Sequence, residues 1–188
     1  MLKKIVISML CISVFILTAS DTAMRLKKGQ QAPSFLVGVY KLQNATYDRK
    51  NRVNITPLIG KKALVLSFFS RECTACDAEI KALAKIRTKY EKKGIAFYLV
   101  LVKATSDKDE DKLLKTINER GYDFPTFYYP YPKTVFGKYI KTKQGGISSF
   151  PLTYFINKAG KIVKIKHGFN KKEPEKGLQT LIKILNQL

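Results

Sequence analysis

One stretch of the chain decides the fold, and it reads ALVLSFF at residues 63–69 and then SRECTACDAEI at residues 70–80. The first part is an almost continuous apolar run of strand length, as expected of a strand that is buried on both faces. Directly after it come Cys73 and Cys76. Beyond the cysteines, apolar residues recur at helical spacing: Ile80, Leu83, Ile86 and Tyr90. The stretch therefore predicts a buried strand, a C-x-x-C pair and an amphipathic helix, in that order.

The cysteine pair carries the chemistry of the predicted site. Cys73 falls at the start of the helix, where unpaired backbone N–H groups and the helix dipole favour a thiolate. The thiolate is the attacking species in thiol–disulfide exchange, and Cys76, one turn on, is placed to resolve the mixed disulfide. A structural zinc site would need two further ligands, and His167 is the only histidine in the chain. We therefore predict a dithiol redox site without a metal or a cofactor.

The pattern around this stretch predicts one α/β domain at residues 63–188, with a mixed, twisted sheet of four to five strands and helices on both faces. Its other predicted elements, in chain order, are a strand at Ile95–Val102, a helix opened by a capping box of Ser106 and Asp109, a short helix around Val135–Tyr139, an antiparallel hairpin of Leu152–Asn157 and Lys161–Lys166, and a last helix capped by Asn170 and Glu173. Residues 21–62 are polar and irregular, and proline and glycine interrupt them. We expect them to form an N-terminal extension that packs on the core.

Residues 1–20 have the pattern of a signal peptide. Two lysines precede an uninterrupted apolar run from Ile5 to Ala19, and small residues up to Ser20 offer a cleavage point. Because a membrane span usually needs about 20 apolar residues, this run is marginal for spanning, and a retained anchor is the alternative to cleavage. A lipid anchor on Cys11 is disfavoured because Leu10 precedes it, where lipoprotein processing requires a small residue. We therefore expect an exported protein.

The predicted export changes how the three cysteines are interpreted. The chain has three cysteines, and cleavage of the leader removes Cys11 and leaves the close pair. Exported proteins use disulfides to join distant segments, whereas cysteines three positions apart close a loop too short to constrain the unfolded chain much. The remaining pair must therefore serve redox or metal chemistry.

The charge of the chain is strongly basic. It carries 35 lysines and arginines against 14 acids, a formal net charge of +21. The lysines are scattered rather than clustered, which is typical of solvated faces. Such a surface favours acidic partners or an anionic membrane face, and the predicted export argues against nucleic acid.

Several further motifs resemble one known family. They are Gly29-Gln30-Gln31-Ala32-Pro33-Ser34-Phe35, read as G-x-x-A-P-x-F; Leu58-Ile59-Gly60-Lys61-Lys62 before the buried strand; Glu79, three residues after the second cysteine; and Phe150-Pro151-Leu152-Thr153-Tyr154-Phe155-Ile156-Asn157 followed by Gly160. With the cysteine pair they resemble the thioredoxin superfamily, most closely its TlpA/ResA/DsbE-like branch of exported bacterial thiol–disulfide oxidoreductases. The resemblance covers roughly Gly29 to Leu188. The segment from Ser106 to Tyr129 falls where this branch carries an inserted helix and strand.

The resemblance implies a thioredoxin-like fold and a set of site residues. Cys73 and Cys76 would be the redox pair, and Glu79 would modulate the pKa of the cysteines. The Phe150–Pro151 bond would be cis and packed against them, with Phe150 shaping the surface on which a substrate chain docks; an ordinary trans proline is the alternative. The protein would be periplasmic, or membrane-anchored and facing the periplasm. It would reduce disulfides of exported proteins, apocytochromes c among them, with electrons from a membrane thiol donor.

Three departures from the family pattern bear on reactivity. Glu72 stands where the family usually has an aromatic residue, and its carboxylate should oppose thiolate formation at Cys73, with Arg71 partly offsetting it. Thr74-Ala75 lacks the proline or histidine that is common between such cysteines, and Ser67 replaces a buried acid of some thioredoxins. Weak stabilisation of the thiolate favours a low reduction potential of the cysteine pair. A low reduction potential in turn favours a reductant. A disulfide-forming oxidase is the alternative direction.

Other functions are weaker interpretations of the same residues. The spacing of Ser70 and Cys73 resembles a peroxidase pattern, but the proline that this family expects upstream is missing. His167 with two thiols could bind copper as in Sco-like carriers, but those use C-x-x-x-C and an earlier histidine, so a surface histidine is the simpler interpretation. A non-catalytic binding module is a further alternative, and the intact cysteine pair speaks against it. Six aromatic residues could form a hydrophobic rim for partner proteins or pack in the core: Tyr122, Phe124, Phe127, Tyr128, Tyr129 and Tyr131.

Overall fold

A mixed β-sheet with helices packed on it forms the centre of the structure. In this computed structural model the described residues are 26–33, 36–41, 46–55, 57–102, 109–129 and 149–188. Their strands are β1 (Leu36–Lys41), β2 (Thr46–Asn54), β3 (Ala63–Phe69), β4 (Ile95–Val102), β5 (Thr126–Tyr129), β6 (Leu152–Ile156) and β7 (Ile162–His167). Their helices are α1 (Thr74–Glu91), α2 (Glu110–Glu119) and α3 (Pro174–Leu185). The strands lie in the order β2-β1-β5-β4-β3-β6-β7.

The sheet is organised around β3, in which every residue is buried. β3 pairs in parallel with β4, and α1 supplies the crossover that such a pair requires. On its other side β3 pairs antiparallel with β6, with Phe68 opposite Leu152. The carboxyl end of β3 and the start of β6 therefore meet at one edge of the sheet. The cysteine pair and Pro151 lie at this edge.

Two apolar cores lie on the two faces of the sheet, because side chains alternate along the central strands. One core joins the odd-numbered apolar residues of β3 to the buried sides of α1, α2 and α3. The other joins the even-numbered residues of β3 to Leu26, Ala32 and Ile55 of the N-terminal region. All three described helices thus lie over one face, and the described residues place no helix on the other face, where the sequence also predicts helices. The short helix predicted around residues 135–139 lies outside the described residues.

The N-terminal region contributes strands that the sequence does not predict. β1 and β2 pair antiparallel, and β1 joins the sheet beside β5. The N-terminal region also contacts β7, the outermost strand on the other side of the sheet. There Gly29 N donates to Ile162 O at 2.7 Å and Ala32 N donates to Gly160 O at 2.8 Å. The polar, irregular sequence of residues 21–62 therefore contains two strands that its pattern does not indicate. The mixed α/β sheet is confirmed, with two strands beyond the four to five predicted.

Two helices begin later than the sequence predicts. Asp109 is the N-cap of α2 and accepts a hydrogen bond from Lys112 N at 3.0 Å, whereas Ser106 lies outside the described residues. The N-cap of α3 is Glu173, whose side chain makes no capping bond. Asn170 instead forms a turn before α3, where its side chain accepts from Lys172 N at 3.0 Å. Capping of α3 by Asn170 is therefore wrong.

None of the helices in the described part of the chain is long and apolar enough to cross a membrane. The predicted signal peptide at residues 1–20, including Cys11, lies outside the described residues. Cleavage of the leader stays a prediction.

Candidate active site at Cys73 and Cys76

A disulfide joins Cys73 and Cys76 where β3 gives way to α1. The sulfur atoms are 2.04 Å apart and the Cα atoms 5.2 Å apart, within the range of ordinary disulfides. Cys73 is the N-cap residue of α1, and its sulfur accepts a hydrogen bond from Cys76 N at 3.1 Å. The turn from Ser70 to Glu72 places it there, because Cys73 N donates to Ser70 O at 3.3 Å.

The two cysteines differ in burial. Cys76 is completely buried in the core beneath α1, whereas Cys73 is half-buried and packs at the margin of that core. An attacking thiolate must reach a second protein, and the resolving thiol must reach only Cys73. After reduction, the helix amides at Cys73 would stabilise a thiolate. The arrangement suits Cys73 as nucleophile and Cys76 as resolving thiol, and these roles stay predictions.

The bond between Phe150 and Pro151 is cis, as the family resemblance implies. Pro151 is buried at the start of β6, and its carbonyl oxygen accepts from Gly168 N at 2.7 Å. Phe150 is half-buried and contacts both apolar cores. This loop therefore lies at the same edge of the sheet as the cysteines, and substrate docking at Phe150 stays a prediction.

A buried carboxylate lies one helical turn after Cys76. Glu79 is 1% exposed. Its Oε2 accepts from Lys166 Nζ of β7 at 2.6 Å, and its Oε1 accepts from the hydroxyls of Ser67, at 3.3 Å, and Thr153. Ser67 occupies the position at which some thioredoxins carry a buried acid. Here α1 supplies the carboxylate, and the β3 serine is one of its donors.

Sequence reasoning missed the partners of Glu79. Lys166 and Thr153 lie 87 and 74 positions from Glu79 in the chain, so no local pattern joins them. One signal was available, because Glu79 stands beside Ile80 on the apolar side of the predicted helix. A carboxylate on a buried helix face requires a partner.

The two charged residues before Cys73 pair with each other. Arg71 Nη2 lies 3.0 Å from Glu72 Oε1, and the Glu72 side chain is 70% exposed. Water and the guanidinium both weaken the field of this carboxylate at the neighbouring sulfur. The expected offset of Glu72 by Arg71 therefore has a structural basis, although its effect on the cysteines stays a prediction.

A second group of contacts joins the end of α2 to the cysteine loop. Arg120 Nη1 lies 2.9 Å from Asp77 Oδ1 in the first turn of α1, and Arg120 Nη2 donates to the carbonyl oxygen of Arg71. The hydroxyl of Tyr122 also donates to Asp77. Burial, followed by this hydrogen bond, raises the pKa of Tyr122 to about 12. Sequence reasoning did not anticipate these contacts, because they join an inserted segment to the site.

The remaining sequence candidates lie elsewhere or in the core. His167 is exposed at the end of β7, and within the described ranges no three His, Cys, Asp or Glu side chains gather as metal ligands. The aromatic rim is wrong for Tyr122, Phe124 and Tyr128, which are buried. Phe127 is half-buried and stacks on another core-facing ring. The side chain of Tyr129 and all of Tyr131 fall outside the described structure.

Comparison with known proteins agrees with this architecture. Residues 27–182 match the model of the Redoxin family. Thiol-disulfide oxidoreductase ResA of Bacillus anthracis is 24% identical over 153 residues, which cover 81% of this chain and 77% of that protein. The thioredoxin-like protein YneN of Bacillus subtilis is 26% identical over 162 residues, 86% of this chain and 84% of its own. The solution structure of a thiol:disulfide interchange protein from a Bacteroides species superposes with a TM-score of 0.60 at 23% identity, covering 87% of this chain and 93% of that one.

Proposed function

Because the chain belongs to the Redoxin family, in the TlpA/ResA/DsbE-like branch of the thioredoxin superfamily, we propose that this thiol–disulfide oxidoreductase reduces protein disulfides outside the cytoplasm. One observation carries the proposal. The Cys73–Cys76 disulfide lies at the N-cap of α1, with Cys73 half-buried and Cys76 completely buried. This is the geometry that a two-step dithiol exchange requires.

The reaction balances within the pair and its substrate. The Cys73 thiolate attacks one sulfur of the substrate disulfide, forming a mixed disulfide and releasing the other sulfur as a thiol. Cys76 then attacks the Cys73 sulfur, which releases the second substrate thiol and closes the Cys73–Cys76 bond. Two electrons pass from the pair to the substrate, so a membrane thiol donor must restore the dithiol.

The reducing direction is supported by the residues beside the nucleophile. Strong oxidants in this chemistry owe their potential to a stabilised reduced form. Here Glu72 adjoins Cys73, and Thr74-Ala75 places no histidine between the cysteines. Both features leave the reduced pair with little extra stabilisation.

The leader pattern and the charge support the proposed location and partners. The apolar run from Ile5 to Ala19 supports export, with the domain facing the periplasm either free or anchored. The proposed substrates are exported proteins with disulfides, apocytochromes c among them. The net charge of +21 favours acidic segments near the target disulfide.

Trapping the mixed disulfide tests the proposed function. The substrate is a synthetic peptide with an oxidised C-x-x-C-H motif, the attachment motif of c-type haem. Reduced Cys76→Ser should form a stable covalent adduct with the peptide, whereas Cys73→Ser should form little, and mass spectrometry distinguishes the two. An adduct only in Cys73→Ser would reverse the roles, and turnover equal to that of the wild type in either variant would refute the dithiol mechanism.

A further inference from the structure

Arg120 makes the contacts that join the inserted segment to the redox site. It is the C-cap residue of α2, and its side chain is only partly exposed, at 25%. Its two terminal nitrogens bind on opposite sides of the cysteines in sequence: one binds the carbonyl oxygen of Arg71, two residues before Cys73, and the other binds Asp77, directly after Cys76. One guanidinium thus spans the whole C-x-x-C motif.

The carboxylate that Arg120 binds, Asp77, affects the formation of the Cys73 thiolate. Asp77 lies in the first turn of α1, directly after the N-cap Cys73, and Asp77 N donates to the carbonyl oxygen of Cys73 at 3.3 Å. An uncompensated carboxylate near a thiolate disfavours it. The Asp77 side chain is 32% exposed, and water screens it less than a fully exposed acid. Its pairing with Arg120 removes most of the negative field that it would place on the reduced Cys73.

Other charged and titratable groups also surround the cysteine loop. They are Arg71 and Glu72 before it, Glu79 in α1, Tyr122 after α2, Lys166 in β7 and Lys171 in the following loop. Glu72 pairs with Arg71, and Glu79 pairs with Lys166. Tyr122 carries no charge at neutral pH, since the ordinary pKa of tyrosine is 10.0 and burial and the bond to Asp77 raise the pKa of Tyr122 further, to about 12. Asp77 is therefore the acid whose compensation depends on the inserted segment.

We propose that Arg120 is a positioning residue of the redox site, which fixes the loop before Cys73 and neutralises Asp77 so that the Cys73 thiolate forms. The inference rests on the dithiol chemistry proposed above and not on its direction. It makes the inserted helix a part of the site, since α2 ends in the cation that sets the reactivity of the nucleophile.

The chain offers a matched control for this arginine. Arg87 of α1 also binds the segment after α2, through the carbonyl oxygen of Asp123 and the ring of Phe124, whose centroid lies 4.9 Å from the guanidinium carbon. Arg87 lies three turns beyond the cysteines in α1. Replacing it removes a comparable link between α1 and this segment without changing the charge at Cys73.

The test is the pH dependence of iodoacetamide alkylation of Cys73, measured on reduced protein. Arg120→Met should move the midpoint of the rate upward by about 0.5–1 pH unit, as loss of a nearby opposite charge predicts. Arg120→Lys keeps the positive charge and should therefore keep the midpoint close to the wild-type value. Arg87→Met should leave the midpoint unchanged. Adding Asp77→Asn to Arg120→Met should bring the midpoint back towards the wild-type value.

A wild-type midpoint in Arg120→Met, or an equal shift in Arg87→Met, would overturn the proposal. If Arg120→Met does not fold, Asp77→Asn alone carries the test: it should lower the midpoint, because Arg120 is then uncompensated, and an unchanged midpoint would refute the inference. The assay needs no substrate protein. A protein that fails to reduce peptides but shows these shifts would contradict the proposed function and leave this inference standing.

Discussion

Lys166 and Glu79 form a buried ion pair, with Lys166 Nζ 2.6 Å from Glu79 Oε2 and side-chain exposures of 13% and 1%. Lys166 also donates to the carbonyl oxygen of Gly168, and Gly168 N donates to the carbonyl oxygen of Pro151 at 2.7 Å. The pair thus connects α1, which carries Cys76, to the loop that holds Pro151. A buried pair of this kind is costly to break, because one charge stays behind without its partner.

Lys166→Met should therefore destabilise the protein strongly. Loss of one partner of a buried pair costs about 3–5 kcal/mol in the free energy of unfolding, measured by urea denaturation. Lys164→Met is the control, because Lys164 lies exposed on the same strand and should change stability by less than about 0.5 kcal/mol. Equal stability of the two variants would show that Glu79 does not depend on this lysine.

Phe150→Ala tests the docking surface. Phe150 is half-buried at the site edge, and loss of about 1 kcal/mol of apolar contact with a bound chain corresponds to a roughly fivefold rise in KM for a peptide disulfide. Exchange with a small disulfide such as oxidised glutathione should change much less, because it makes no extended contact. If both substrates slow equally, the phenylalanine acts on the cysteines themselves.

Lys171→Glu tests the preference for acidic partners. Lys171 Nζ donates to Thr74 Oγ1 at 3.1 Å. This bond holds the ammonium group beside Thr74, one of the two residues between the cysteines. Reversal of this charge should raise KM for a peptide with acids flanking its disulfide by about threefold to fivefold at low salt. The difference should shrink at high salt. Lys158→Glu, in the exposed turn between β6 and β7, should leave KM unaltered.

Tyr122→Phe tests the environment of Asp77. Burial and the Asp77 hydrogen bond raise the pKa of Tyr122 from 10.0 to about 12. The unfolded chain therefore releases this proton near pH 10 while the folded protein retains it, so the contribution to stability is complete below pH 10 and disappears as the pH rises to about 12. Between these values the free energy of unfolding should fall more steeply in the wild type than in Tyr122→Phe. Parallel pH curves would contradict the assignment.

The parts of the fold that local patterns determine could be predicted from sequence. The buried strand, the cysteines and α1 are contiguous, and their periodicity and capping are visible in one stretch from Ala63 onward. β2 could not be recognised, because it reads TYDRKNRVN and lacks an alternating apolar pattern. β1 reads LVGVYK, and this short apolar run was a signal that the sequence analysis missed. The ion pair at Glu79 and the contacts of Arg120 depend on which segments the fold brings together, and they are invisible before it is known.

The redox state of the cysteine pair in living cells distinguishes a disulfide reductase from an oxidase. Cells that produce the full chain are quenched with acid, their free thiols are alkylated with a maleimide reagent that adds mass, and the reduced fraction is determined by gel shift. Cys73 and Cys76 should be mostly reduced, because a reductant must hold its electrons before it meets a substrate. A pair that is mostly oxidised, together with a loss of disulfide formation in exported proteins on deletion, would contradict the proposed direction and identify an oxidase.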